Sequence, residues 1–218
     1  MIREILDANS YYELVLKHKN SNKYTLVPLD KETSNKECGA VVGIGIINGI
    51  KLLTISLDKN YKMGTMGIKE GEKITLAFEY ATKKRLPVLS VVASGGVRIH
   101  EETPALMQMV KTAAAVKLHS DKGLLYVSVI ADPTLGGVSA SFASLADIII
   151  AEEGVRYGFS GKQIICETTH EQIPDGFQTA EYAKKHGMID IVTNRSNIKL
   201  IIESVFRLHA KRKVGSND

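Results

Sequence analysis

Cysteine is almost absent: the 218 residues hold two, Cys38 and Cys166, far apart and in no C-x-x-C pair. That excludes a disulfide framework and a cysteine-rich zinc ribbon, and it points to a reducing compartment. Long apolar runs are lacking as well. No stretch is long enough to span a bilayer, and Arg3, Glu4 and Asp7 break the opening residues before a leader-like run can form. A soluble, cytoplasmic protein is the expectation. Excess charge of one sign is slight, with 28 Lys and Arg against 24 Asp and Glu. The resulting net charge of +4 suits an anionic ligand, but it falls short of the clustered basic patch that nucleic acid requires. His18, His100, His119, His170, His186 and His209 form no H-x-x-x-H and pair with no cysteine at ligand spacing. Each is therefore read as an exposed polar residue, and no metal site is expected. A serine-hydrolase elbow is missing too, because Gly137-Val138-Ser139-Ala140-Ser141 lacks the closing glycine.

What remains is an ordinary globular composition, 44% apolar and 24% charged, with no low-complexity linker and length for one domain. Residues 1–37 are polar and read as an arm, with a short helix over Ile2–Leu16 and a loop carrying Pro28. Two β-rich runs flank Asn48-Gly49, a strong hairpin signal. Gly43 and Gly45 lie inside the first of these runs, where a bulge or close backbone approach explains them better than a dinucleotide fingerprint.

Helix and strand then alternate. A helix over Glu72–Arg85 carries the inward stripe Ile74, Ala77, Phe78 and Ala81, and a buried strand follows at Val88–Ala93. Thr103-Pro104 reads as the cap and first residue of a helix facing the core through Met107, Val110, Ala114 and Leu118. Strands at 124–131, Ile148–Ala151, Val155–Phe159 and Ile189–Val192 follow, with helices at Ala180–His186 and Ser196–His209. The last helix turns Ile198, Ile201, Ile202 and Val205 inward, and Lys211-Arg212-Lys213 reads as a solvated tail. The rhythm argues for one α/β domain with mainly parallel pairing.

The chemistry, if there is any, belongs to two glycine corners. Gly95-Gly96 and Gly136-Gly137 each follow a buried strand and precede a helix, where the backbone can approach a ligand and first-turn N–H groups are free. Two such corners converging on one cleft would aim main-chain donors at a single oxygen, an oxyanion hole made without side chains. Two tight turns without chemistry would show the same residues. Arg98 stands just past the first corner, either facing an anion or ion-paired to a helix end. Glu101 and Glu102 are placed to favour the start of the following helix through its dipole.

Several segments resemble one family. MGTMGIKEGEKI (Met63–Ile74), SGGVRIHE (Ser94–Glu101), PALMQMVKTAAA (Pro104–Ala115), DPTLGGVSASFASLAD (Asp132–Asp147), GFSGKQIICETT (Gly158–Thr169) and IPDGFQTAEYAKKHGMIDIV (Ile173–Val192) are similar to the β subunits of bacterial acetyl-CoA carboxylase carboxyltransferase. The likeness runs in order over residues 38–195. It implies a crotonase/ClpP-like spiral of ββα units over residues 38–218, behind the arm at 1–37. It also implies binding of acetyl-CoA or malonyl-CoA, an α-type subunit, carboxybiotin on a biotin carboxyl carrier protein, and an α2β2-like assembly. By position, Gly95, Gly96, Gly136 and Gly137 match the family's oxyanion corners. Arg98 and the Met63, Gly64 and Gly67 loop match stretches near the CoA. The chain departs from the family in lacking the four-cysteine zinc ribbon, in Val97 where Ala is usual, and in Ile99-His100 where Met-Gln is usual. A biotin-independent malonyl-thioester decarboxylase subunit and a non-catalytic CoA-binding subunit stay open beside the carboxyltransferase. Gly137→Val is expected to abolish turnover with little loss of fold.

Overall fold

The computed structural model describes residues 1–20, 23–29, 38–170 and 172–209. A single helical turn, α1 (Ile2–Ile5), precedes strands β1 (Tyr12–Asn20), β2 (Lys23–Pro28), β3 (Ala40–Ile47) and β4 (Ile50–Leu57). Next come α2 (Ile68–Lys84), β5 (Val88–Ser94), α3 (Glu102–Ser120), β6 (Tyr126–Thr134), α4 (Gly136–Ser141) and β7 (Ile148–Glu152). The chain closes with α5 (Lys162–Thr169), α6 (Ala180–Lys185), β8 (Ile191–Thr193) and α7 (Arg195–His209).

All eight strands form one sheet in the order β2-β1-β3-β4-β5-β6-β7-β8. Pairing is antiparallel up to β4 and parallel from β4 to β8. The Asn48-Gly49 hairpin is present: Ile47 pairs with Ile50, and φ is 47° at Asn48 and 75° at Gly49. A two-residue turn with both central φ positive is the type I′ geometry that follows strand twist. Gly43 and Gly45 do serve close approach. A Cβ on Gly43 would overlap the Tyr11 ring, and one on Gly45 would lie 2.5 Å from a Leu6 methyl.

Alternation along each strand sends side chains to two cores. On one face Leu53, Ile55, Val88, Val92, Tyr126 and Ile130 meet Ile74, Ala77, Phe78 and Ala81, the stripe expected of α2. Burying Ile74 and Phe78 fully contributes about 1.5–3 kcal/mol each. On the other face Leu52, Leu89, Val91, Val127, Val129 and Ile150 are covered by Ile5 and Leu6 and by Ile198, Ile202, Val205 and Phe206 of α7. Helices thus cover both faces, and the parallel strands point their C-terminal ends the same way, the end where open α/β sheets bind ligands. Among the described residues no helix is long and apolar enough to cross a membrane.

Several expectations need correction. The helix expected over Ile2–Leu16 is one turn, and Tyr12–Asn20 is a strand because β3 and β2 pair with it from both sides. Pro28 ends β2 rather than sitting in a loop. The arm's far end and the Lys211-Arg212-Lys213 tail lie outside the described residues. Val155–Phe159 forms only isolated bridges, Thr134 with Tyr157 and Arg156 with Thr179. Helix α5 falls in a stretch to which no element was assigned. The largest difference is α3. It starts at Glu102 with no side-chain cap, so Thr103 is already helical, and the stripe assigned inward points out. Met107, Val110 and Leu118 are 55%, 62% and 59% exposed, while Ala105, Gln108, Thr112, Ala115, Val116 and His119 face α2 and α4. Thr112 is tolerated there because Oγ1 donates back to Gln108 O at 2.9 Å; Gln108 Nε2 likewise donates to Pro104 O at 3.3 Å, while its Oε1 has no partner among the described residues. His119 is fully buried, not exposed; it pairs with Leu86 O at 3.0 Å and meets Phe78 edge-on.

Candidate active site

Strands β5 and β6 run in simple register until Val92 opposite Ile130, after which Ser94 pairs with Thr134. β6 therefore carries two extra residues, and this bulge brings its end level with that of β5. Leu135 N–H then bonds Ser94 O at 2.9 Å, so both glycine corners leave the sheet side by side. They touch. A Cβ on Gly136 would lie 3.2 Å from Gly96 Cα, and one on Gly96 would lie 3.4 Å from Gly136 Cα and 3.6 Å from Gly137 N. With φ of 114° at Gly96 and 61° at Gly136, glycine is favoured on conformational grounds as well.

Which amides can serve a ligand follows from which are already engaged. Gly95 N–H donates to Met63 O at 3.0 Å, Gly96 N–H to Ser94 Oγ at 3.1 Å, and Gly136 N–H to Phe159 O and Gly158 O at 3.0 and 3.1 Å. Gly137 N–H and Val97 N–H have no acceptor among the described residues. Gly137 is buried and second in α4, where the helix itself offers its N–H no partner. Val97 pairs with Met66 as an isolated parallel bridge: Met66 N–H donates to Gly96 O and Arg98 N–H to Met66 O, both at 2.9 Å. The Gly96–Val97 peptide is planar and trans, so an oxygen held toward Met66 turns the Val97 N–H the opposite way. Gly137 and Val97 come into direct contact, for a Cβ on Gly137 would overlap Val97 Cγ2 and lie 2.7 Å from Met109 Sδ. The substitution Gly137→Val therefore strains packing as well as chemistry, contrary to the expected sparing of the fold.

Beside the first corner lies a largely apolar cleft of about 660 Å³, walled by Met63, Thr65, Gly95, Val97, Arg98 and Ile99. Met63 and Ile99 are 68% and 84% exposed, and Lys62 and His100 stand at its edge. Met63 is held at φ 57° in a run of three left-handed residues, Lys62 to Gly64. Gly64 is fixed by space: a Cβ there would overlap Ala93 O. Gly67 is fixed differently, since a Cβ would overlap Arg98 Nη1 and lie 2.5 Å from Glu101 Oε2. The structure thus gathers Met63, Gly95, Arg98 and Val97 at the cleft and sets Gly96, Gly136 and Gly137 together, with Gly64 and Gly67 packed behind.

Arg98 is 7% exposed and ion-paired, the second of its two sequence readings. Its Nη1 lies 2.9 Å from Glu70 Oε2 and 2.7 Å from Glu101 Oε1. Glu70 is fully buried and also accepts Gly39 N–H at 2.9 Å and Gly67 N–H at 3.0 Å. Glu101 accepts Ile68 N–H at 2.7 Å, so it caps α2 rather than the helix that follows it. Burial opposes charge on both Arg98 and Glu101. The Glu70 and Glu101 carboxylates outweigh it for Arg98 and hold the guanidinium pKa up. For Glu101, the Ile68 amide and Arg98 outweigh burial and hold the carboxyl below its usual range. The sequence reading missed Val97 as a donor and Glu70 as an anchor.

A profile of the carboxyl transferase domain matches residues 2–208. The chain belongs to the carboxyl transferase family. It is 45% identical over 181 residues to acetyl-coenzyme A carboxylase carboxyl transferase subunit beta 2 of Lachnospira eligens, covering 83% of this chain and 71% of that one. It is 44% identical to the corresponding beta subunit of Clostridium novyi, covering 82% and 62%. Among solved structures, a transcarboxylase 12S with hydrolyzed methylmalonyl-coenzyme A bound superposes with a TM-score of 0.78 at 27% identity, over 94% of this chain and 40% of that one. These neighbours place the fold among the crotonase-like carboxyl transferases, as the sequence resemblance implied.

Proposed function

We propose that the chain is the acyl-CoA-binding, β-type subunit of a biotin-dependent carboxyltransferase that forms malonyl-CoA from acetyl-CoA. The observation that carries this reading is the pair of adjoining glycine corners, which leave the amide of Val97, a wall of the apolar cleft, and that of Gly137 packed against it without acceptors among the described residues. A thioester in that cleft would direct its carbonyl oxygen at the two N–H groups. As the α C–H bond breaks, charge moves onto that oxygen, and donors placed for the charged form lower the barrier more than they stabilise the ground state. Carboxybiotin on a carrier protein supplies the carboxyl group. In balance, the α C–H and N1–carboxyl bonds break while the new C–C and N1–H bonds form. No protein nucleophile is required, which agrees with a site built from main chain.

The second wall belongs to an α-type subunit. The outward stripe of α3 supports this: Met107, Val110 and Leu118 form an exposed apolar helix face, and exposed Ile99, just ahead of that helix in the chain, lines the cleft. A relative from Clostridium tetani named "subunits beta/alpha", 38% of which this chain covers, carries both names on one polypeptide. The test mixes the chain with an α-type subunit, carboxylated biotin carrier protein and acetyl-CoA. Malonyl-CoA is the expected product. Carbon dioxide release from malonyl-CoA without biotin, or CoA binding without turnover, would overturn the reading.

A further inference from the structure

We infer that Arg98 is a positioning residue: its guanidinium locks the Met63–Met66 segment to the first glycine corner and so aims the Val97 amide, without touching the acyl-CoA. The inference rests on the proposed acyl-CoA site and concerns how that site is held in shape.

The donor count is the first reason. Of five guanidinium N–H groups, Nη1 serves Glu70 and Glu101, Nη2 serves Thr65 O at 2.8 Å, and Nε serves Thr65 Oγ1 at 3.3 Å. One donor is left, on a side chain 8% exposed. Charge is the second reason. Two carboxylates on one guanidinium offset its charge, so Arg98 itself offers a phosphate little net attraction. Gly67 adds to this, because its missing side chain makes room for the Arg98–Glu101 pair and for no cavity.

Connectivity gives the guanidinium its effect. Thr65, gripped through both its carbonyl and its hydroxyl, is followed by Met66, whose N–H holds Gly96 O and whose O holds Arg98 N–H. Gly95 N–H closes the seam on Met63 O. The orientation of the Gly96–Val97 peptide is therefore set by where Met66 stands, and Met66 stands where Arg98 fixes Thr65. A lysine keeps the charge but cannot reach four acceptors in a planar fork. Met63 keeps its own tie to the corner through Gly95 N–H, so loosening Thr65 would leave that wall of the cleft in place and let the Val97 amide wander, and the loss falls on the transition state.

The experiment uses the complete complex with its α-type subunit, comparing wild type with Arg98→Lys and Glu101→Gln. The readouts are kcat, KM for acetyl-CoA, and CoA affinity by calorimetry, whose stoichiometry counts folded sites. Arg98→Lys should lower kcat by tenfold or more per folded site, with KM and CoA affinity within twofold of wild type and little dependence on salt. Glu101→Gln should lower kcat in the same sense by a smaller factor, and it carries the test if Arg98→Lys does not fold. A tenfold, salt-sensitive rise in KM at unchanged kcat would make Arg98 a CoA ligand and overturn the inference. Unchanged kcat per folded site, with only a lowered melting temperature, would overturn it too. If the wild-type complex forms no malonyl-CoA, it is the proposed function that fails, before any variant is compared.

Discussion

Replacing Gly96 by alanine puts one methyl group where the two corners meet, and its cost can be worked out from the geometry. The residue is held at φ 114°, and an added Cβ would sit 3.3 Å from Leu135 O, 3.4 Å from Gly136 Cα and 3.6 Å from Gly137 N. All three neighbours are main-chain atoms, so none can rotate aside. An L-residue at a sparsely populated positive φ costs on the order of 1–3 kcal/mol, which in a domain of this size lowers Tm by about 2–12 °C. The chemical cost is larger. The methyl would sit 3.6 Å from Gly137 N, crowding the donor proposed for the thioester oxygen, and losing one oxyanion donor typically costs about 10²–10³ in kcat, or about 2.7–4 kcal/mol. Gly96→Ala should therefore fold, melt several degrees early, and turn over at about 1% of the wild-type rate or less. The assay is malonyl-CoA formation by the complex with the proposed α-type subunit, with CoA calorimetry to count folded sites. A kcat within threefold of wild type, together with the lowered Tm, would show that the methyl covers no working amide and would refute the reasoning.

Gly137→Val should lose stability as well as activity, because its side chain would meet Val97 and Met109; overpacking of this kind costs about 1–3 kcal/mol. An unchanged urea midpoint would contradict this. His119 gives a pH dependence. Burial pushes its pKa below the usual value, only partly offset by the Leu86 carbonyl and Asp147, and Nδ1 has no partner among the described residues to receive a second proton. The folded state then binds fewer protons than the unfolded chain, so stability should fall as pH drops through and below about 6.5, the ordinary imidazole value. In His119→Gln the dependence of the urea midpoint between pH 7 and pH 5 should flatten; an unaltered slope would remove His119 as its source. Val110→Glu and Leu118→Glu, at sites 62% and 59% exposed, should leave the isolated chain's Tm unchanged and weaken assembly with the α-type subunit in sedimentation. Wild-type assembly in both would exclude the α3 stripe as the contact.

The elements that could be read from sequence are those whose signal is local. The Asn48-Gly49 turn follows from the φ its residues allow, and the α2 stripe from a face buried against its own chain. Both glycine corners were legible for the same reason, each being a strand end followed by residues that permit close approach. What sequence could not show depends on distant partners. Tyr12–Asn20 is extended because β3, thirty residues on, offers it an edge. The apolar periodicity of α3 is genuine, but periodicity says only that one face avoids water and not whether the same chain covers it. Which amides are free was hidden for a similar reason. Gly95, Gly96, Gly136 and Gly137 carried the motif, yet the N–H groups of the first three are consumed by Met63, Ser94 and the Gly158–Phe159 segment, which leaves Gly137 and the unread Val97 as the candidate donors.

The most direct measurement is a crystal structure of the complex with an acyl-CoA bound. The thioester oxygen should lie within about 2.7–3.2 Å of both Gly137 N and Val97 N, with the acyl arm along Met63 and Ile99. A thioester oxygen turned to a side chain or to solvent, with those two amides bonded elsewhere, would contradict the account.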